Sequence, residues 1–146
     1  MARIAIVYYS GSGNTRKMAQ LVAEGAKGGG AQVEMVVGND ANVAEVVKAD
    51  GFALGSPDYF SYMAGELKTF FDRALPHAAS LKGKPYVSFG SHGGGAKVLK
   101  SIDELAKAVG LKQVCPGALA QGAPVGESAD ACRKLGESLA AALNKR

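Results

Sequence analysis

Ile4-Ala5-Ile6-Val7-Tyr8-Tyr9-Ser10-Gly11-Ser12-Gly13-Asn14-Thr15 decides how this chain is read. Its first half is a continuous apolar run of β-branched and aromatic side chains, the pattern of a strand covered on both faces. Ser10 to Gly13 breaks that run. Beyond Asn14 the period changes: Met18, Leu21, Val22 and Gly25 recur at helical spacing, with Gly28 after the end. A buried strand passing through a Gly/Ser loop into a helix opens a parallel α/β unit.

The pattern repeats along the chain. Residues 33–37 predict a second strand, 43–48 a short helix opened by Asn42, and 51–54 a third strand ending at Gly55-Ser56-Pro57. Leu67, Phe70, Phe71 and Leu75 line a third helix, and residues 86–89 a fourth strand after Lys84-Pro85. Val98, Ile102, Leu105, Ala106 and Val109 stripe a fourth helix that closes at Gly110. Residues 111–115 predict the fifth strand, and Ala131, Leu135, Leu139 and Leu143 mark the last helix. Alternating strands and helices, with no repeat or linker, predict one domain over residues 1–146. The expected fold is α/β, a three-layer doubly wound fold whose five-stranded parallel sheet has the order 2-1-3-4-5. Ligands in such sheets sit outside the carboxyl ends of the strands, where the order reverses. Three loops meet there: residues 10–15, 55–63 and 90–96.

Composition narrows the class. Hydrophobic residues at 47% and charged residues at 21% are a globular balance, not that of a disordered chain. Twenty glycines in 146 residues are roughly twice the usual share of about 7%, and their clusters fall between apolar runs, in loops. The run 4–9 is too short for a span of about 20 residues or a secretory core, so a soluble, cytoplasmic chain without membrane insertion is expected. The formal charge is +4. Apart from Lys82-Gly83-Lys84 and Lys145-Arg146 the basic residues are scattered, with no aromatics alternating among them, which favours a solvated surface over nucleic acid. Cys115 and Cys132, with only His77 and His92 elsewhere, supply neither a zinc nor an iron–sulfur spacing and read as small packing residues. His77, beside Pro76, reads as a surface or helix-end residue.

The first loop, Ser10-Gly11-Ser12-Gly13-Asn14-Thr15, suits a terminal phosphate. Free N–H groups of a helix start, glycines that admit close approach and hydroxyl donors all favour an anion. A Walker A loop would need Gly-Lys-Ser/Thr, and a dinucleotide fingerprint a third Gly where Arg16 stands. The second loop, Ser56-Pro57-Asp58-Tyr59-Phe60-Ser61-Tyr62-Met63, gathers three aromatics and a methionine at the mouth of the sheet, where a flat apolar ring can stack. The third, Gly90-Ser91-His92-Gly93-Gly94-Gly95, offers backbone donors without Cβ atoms to block a ligand's polar edge.

Residues 6–15, followed by Ala19, resemble the phosphate-loop signature of the flavodoxin family, as do Phe89-Gly90-Ser91 and Ala131-Cys132-Arg133-Lys134-Leu135-Gly136. The resemblance covers nearly the whole chain. It implies FMN, with the 5′-phosphate held by Ser10, Ser12, Asn14 and Thr15, Tyr59 and Phe60 as the favoured stackers, and the glycine loop at the pyrimidine edge. The second and third loops, with Leu67-Lys68-Thr69-Phe70-Phe71-Asp72, are more similar to NAD(P)H:quinone oxidoreductases of the tryptophan-repressor-binding-protein type. A Gly at position 60 would match the peptide flip of the family's carriers; Phe60 stands there. Gly94 replaces a stacking Trp found in many members, and His92 reads either as an exposed loop histidine or as a pH-sensitive neighbour of the reduced flavin.

A response-regulator receiver shares the strand order but needs an acidic pair where Tyr8-Tyr9 stand, and a low-molecular-weight phosphatase needs Cys in the first loop. The reading that remains is an FMN-binding carrier of electrons between redox partner proteins, a reductase or ferredoxin-linked donor and an acceptor the sequence does not name. An FMN-dependent NAD(P)H:quinone oxidoreductase is the alternative. Asp58 and Glu66 are expected around the flavin loop, and most lysines elsewhere.

Overall fold

In the computed structural model, which describes residues 1–145 and so leaves Arg146 outside the described residues, the first apolar run becomes strand β1 (Arg3–Tyr8). It lies inside a parallel sheet, between β2 (Gln32–Val37) and β3 (Gly51–Pro57), with β4 (Pro85–His92) beyond β3. The path β2-β1-β3-β4-β5 is the predicted order. The helices are α1 (Asn14–Gly28), α2 (Val43–Val46), α3 (Gly65–Ala74), α4 (Ala78–Leu81), α5 (Val98–Ala108) and α6 (Glu127–Asn144).

The fifth strand differs from the expectation of residues 111–115. Two short segments, β5 (Lys112–Gln113) and β6 (Ala118–Gln121), each pair in parallel with β4. Pro116 between them has no N–H to give the ladder, and a Cβ on Gly117 would sit 2.5 Å from the Ser88 hydroxyl, so the chain bows out before it rejoins. The extension to Gln121 carries this edge up to the level of His92. Strands β3 and β4 also run further than expected, so Ser56 and Pro57 belong to β3, and Gly90, Ser91 and His92 to β4.

Alternation along the strands builds two cores. Ala5, Val7, Phe52, Leu54 and Tyr86 face α2, α3 and α5, where Val46, Leu67, Phe70, Phe71, Val98 and Ile102 cover them. Ile4, Ile6, Ala53, Val87 and Phe89 face the other way, onto Met18, Ala19 and Val22 of α1 and Cys132, Leu135 and Leu139 of α6. Helix α5 is further pinned to β4 because Tyr86 and Ser88 both donate to Asp103 Oδ1, at 3.0 and 2.9 Å. Burial pushes the Tyr86 phenol well above its ordinary pKa and keeps it a donor. Cys132 is buried, and its thiol is likewise pushed up, to about 11, by burial. No helix among the described residues is long and apolar enough to cross a membrane.

Helices α1 and α6 meet backbone to backbone. A Cβ on Gly25 would collide with the Arg133 carbonyl oxygen, and one on Gly136 with the Val22 carbonyl oxygen. Gly136→Ala should therefore destabilise the fold by about 1–3 kcal/mol, lowering Tm by roughly 2–12 °C in calorimetry. Gly28→Ala, where a Cβ meets nothing within 4 Å, should be neutral or raise stability by up to about 1 kcal/mol. Equal effects at the two sites would show that the helices do not touch in this way.

Candidate functional site

The carboxyl ends of β1, β3 and β4 converge, and the three loops are tied together there. Thr15 and Ser91, both buried, share a hydroxyl–hydroxyl hydrogen bond of 2.7 Å that joins the first loop to the third. Asp58 N–H donates to the Ser91 carbonyl at 2.8 Å and joins the second to the third. Across the gap between first and second loops, a Cβ on Gly11 would collide with the Tyr59 hydroxyl. Glycine at position 11 leaves that hydroxyl its place.

The first loop is arranged around free donors. Gly13 caps α1 in the left-handed region at φ 99°, where a side chain would be strained. Ser10 Oγ accepts the N–H groups of Gly13 and Arg16, both at 3.1 Å, which leaves its own O–H to donate elsewhere. The N–H groups of Gly11, Ser12, Asn14 and Thr15 have no acceptor among the described residues. No acidic residue stands in the first turn of α1. Unpaired N–H groups at the positive end of a helix dipole form an anion site. Ser12 and Asn14 remain accessible at its edge, while Thr15 forms its floor.

The second loop is a miniature hairpin. Tyr59 and Tyr62 exchange backbone hydrogen bonds, N–H to carbonyl at 2.8 Å one way and 3.1 Å the other, with Phe60 and Ser61 as the two-residue turn. Both turn residues have positive φ, 57° and 65°, which is the backbone of a type I′ turn that ordinarily takes Asn-Gly. For Phe60 this conformation costs about 1–3 kcal/mol. Asp58 holds it in place: Oδ1 accepts the Ser61 N–H at 2.8 Å and Oδ2 the Lys97 N–H at 2.9 Å. Ser56, fully buried, accepts from Ala64 N–H and donates to the Pro57 carbonyl, both at 2.8 Å. Met63 is buried and its N–H donates to Ser101 Oγ at 3.0 Å. Ser56 and Met63 thus brace the hairpin from below. Tyr59 and Tyr62, as an opposed pair, share one face and are about two-fifths exposed, whereas Phe60 at the tip is fully exposed. Burial, with Tyr9 and Glu66 nearby, raises the Tyr59 phenol above its usual pKa, so it stays protonated.

The third loop starts on β4. His92 Nδ1 is the one buried side-chain nitrogen or oxygen among the described residues that lacks a hydrogen-bond partner. Gly93, Gly94 and Gly95 lie outside the left-handed region, and a Cβ on any of them would meet nothing within 4 Å. Neither backbone nor packing asks for glycine there, so the triplet leaves an open face.

Residues 6–136 match the family model described as Flavodoxin. The chain belongs to the flavodoxin family. It is 33% identical to the flavodoxin of Aquifex aeolicus over 96% of this chain and 86% of that protein. To the flavodoxin of Megasphaera elsdenii it is 34% identical, over 95% of this chain and 99% of that one. The solution structure of that protein in its two-electron reduced state superimposes with a TM-score of 0.83, covering 94% of this chain and 98% of the other. Likeness to the NAD(P)H dehydrogenase (quinone) of Paraburkholderia phymatum is partial: 30% identity over 70% of this chain and 64% of that protein.

Sequence reasoning missed Ser101 and the Lys97 N–H as anchors of the aromatic hairpin. Both lie at the start of an ordinary amphipathic helix, and nothing in their spacing marks them. Asp58→Ala should loosen the hairpin by removing two acceptors, each worth about 1 kcal/mol at this exposure. Amide exchange at Ser61 and Lys97 should accelerate about fivefold or more while β1 amides stay protected. Unchanged exchange at Ser61 would assign the turn's stability elsewhere.

Proposed function

We propose that the loop end of this flavodoxin-family chain binds FMN and that the protein carries electrons between redox partner proteins, with a reductase or ferredoxin-linked donor on one side. The observation that carries the reading is the first loop: four N–H groups without acceptors at the start of α1, with no carboxylate in its first turn. FMN's terminal phosphate is the chemistry such a cradle fits. The half-exposed Tyr59–Tyr62 face fits a flat ring, and the open glycine face with the orphaned His92 Nδ1 fits a heterocycle's polar edge.

Bound FMN supplies one- and two-electron chemistry, and the residues around it supply binding, orientation and field. Ser10, Gly11, Ser12, Gly13, Asn14 and Thr15 would hold the phosphate, with the hydroxyls of Ser10 and Thr15 oriented by their internal bonds before the ligand arrives. Tyr59 and Tyr62 would cover the ring and keep water from it, on a hairpin stiffened by Asp58. Gly90 to Gly95 would line the polar edge, where His92 Nδ1 finds the partner that the protein does not give it. Free Cys115 and Cys132 fit a reducing, cytoplasmic setting.

Reconstitution with excess FMN should yield a yellow protein with one FMN per chain, and failure to take up flavin would overturn the reading. Thr15→Ala should weaken FMN by roughly 10- to 150-fold, the worth of one charge-assisted hydrogen bond, Gly13→Val should weaken it by straining the left-handed bend at φ 99°, and riboflavin should hardly respond to either. Equal losses for both ligands would move the phosphate away from this loop. The partial likeness to quinone dehydrogenases supports a second reading, direct NAD(P)H:quinone turnover. A carrier's bound FMN should be reduced slowly by NADPH alone and quickly through a reductase. Rapid multiple turnover of NADPH with a benzoquinone, indifferent to protein partners, would establish the enzyme instead.

A further inference from the structure

The face that surrounds this site has an apolar tip and a basic rim. Phe60 is fully exposed on a backbone conformation that bulky residues avoid, and Val125, in the turn that follows β6, is 72% exposed. Gly122 N–H donates to the His92 carbonyl at 2.9 Å, so that turn lies beside the third loop. Around them stand Arg16 and Lys17 in the first turn of α1, and Lys97 and Lys100 at the start of α5, all exposed. Helices α2, α3 and α6 carry carboxylates in their first turns; α1 and α5, which leave the first and third loops, carry none. The ion pairs among the described residues engage Lys48, Lys68 and Arg133, and none of these four cations. The Lys97 backbone is tied to the hairpin, since its N–H is held by the carboxylate that also holds the turn.

We infer that this end of the molecule docks a partner protein whose electron-transfer face is acidic, with Phe60 as the apolar contact and Arg16, Lys17, Lys97 and Lys100 as the steering charges. The inference rests on the carrier reading and adds the partner's chemistry to it. Asp58, the carboxylate nearest the tip, accepts two backbone N–H groups. Glu66 stands at the start of α3, and Glu127 and Asp130 at the start of α6, where Asp130 is paired with Arg133; neither Lys97 nor Lys100, the cations at the start of α5, is in an ion pair among the described residues. A second copy of this chain would bring a like-charged rim against it, and a basic partner would meet the same repulsion. An acidic partner gains on approach through long-range attraction and on contact through burial of the Phe60 ring.

The test uses the FMN-loaded protein with an acidic [2Fe–2S] ferredoxin as probe and a basic cytochrome c as its opposite, by calorimetry and stopped-flow mixing. Ferredoxin should bind, and its affinity should fall about tenfold or more from roughly 20 to 300 mM NaCl. Lys97→Glu/Lys100→Glu should weaken it about tenfold at low salt, mainly through association, and leave FMN affinity and reduction by dithionite unchanged. Phe60→Asn, which tolerates the turn, should shorten the complex's lifetime about fivefold without altering the salt slope. Tighter binding of cytochrome c, affinity indifferent to salt or to charge reversal, or a Phe60-dependent dimer in sedimentation would each overturn the inference. Failure to take up FMN would instead strike the carrier reading, while salt-dependent binding of ferredoxin by that flavin-free protein would still support the rim.

Discussion

The Asp58 carboxylate is the interaction on which the loop end of this molecule depends. It reaches in two directions, to the N–H of Ser61 inside the hairpin and to the N–H of Lys97 at the start of α5. A two-residue turn of Phe and Ser in the left-handed region is uphill by itself. The two charge-assisted hydrogen bonds offset that cost, and Ser56 and Ser101 fix the ends of the same segment. One carboxylate therefore couples the position of the aromatic face to the end of a helix packed on the sheet. Because α5 is held to β4 through Asp103, and β4 to the first loop through Ser91 and Thr15, the three loops form a single hydrogen-bonded frame. A site on such a frame can be set before any ligand binds, which is how a protein avoids spending binding energy on ordering its own loops.

Glycine does three physically different things in this frame. At Gly25 and Gly136 it removes the Cβ atoms that would hold α1 and α6 apart, so the helices touch at their backbones and α1 is fixed with its start facing the loops. At Gly13 it supplies a positive φ, the bend that exposes consecutive N–H groups at the start of α1. At positions 93–95 it does neither, since the backbone there is ordinary and the space open. Gly28 shares those features, so what sets positions 93–95 apart is their place at the carboxyl end of β4, beside His92 with its unpartnered Nδ1.

The order of the sheet was legible because strands buried on both faces must be continuously apolar, and Ile4 to Tyr9 shows this plainly. The split of the last strand was not. An edge strand half covered by helices loses that continuity, and Pro116-Gly117 reads as the end of a strand when it is a bow between two parts of one. The site was legible to the level of loops for a related reason: the strand order alone brings residues 10–15, 55–63 and 90–96 together. Which side chains face outward and which brace was beyond the sequence. Ser56 and Ser10 look alike as loop hydroxyls. Burial of Ser56 beneath the hairpin and the position of Ser10 at a helix cap separate a strut from a candidate donor. The charge of the rim escaped in the same way: Lys97 follows the third loop directly, but the hydrogen bond that ties it to the aromatic hairpin, from its N–H to Asp58, is not marked in the sequence.

That charge distribution is costly in isolation, and the cost bears on its meaning. A cation in the first turn of a helix opposes the dipole by about 0.3–1 kcal/mol, and the starts of α1 and α5 each carry two with no acidic residue in the helix's own first turn. At α1 a bound phosphate would reverse the sign, turning Arg16 and Lys17 into favourable neighbours of an anion. No such anion is implied at α5, whose start is met by Asp58, already shared between two N–H groups. The side chains of Lys97 and Lys100 are exposed and in no ion pair among the described residues, on the helix start tied to the hairpin that holds the Phe60 ring out into water. Folding stability alone would favour acidic residues there, as at α2, α3 and α6, and the acidic partner inferred above would supply that negative charge from outside.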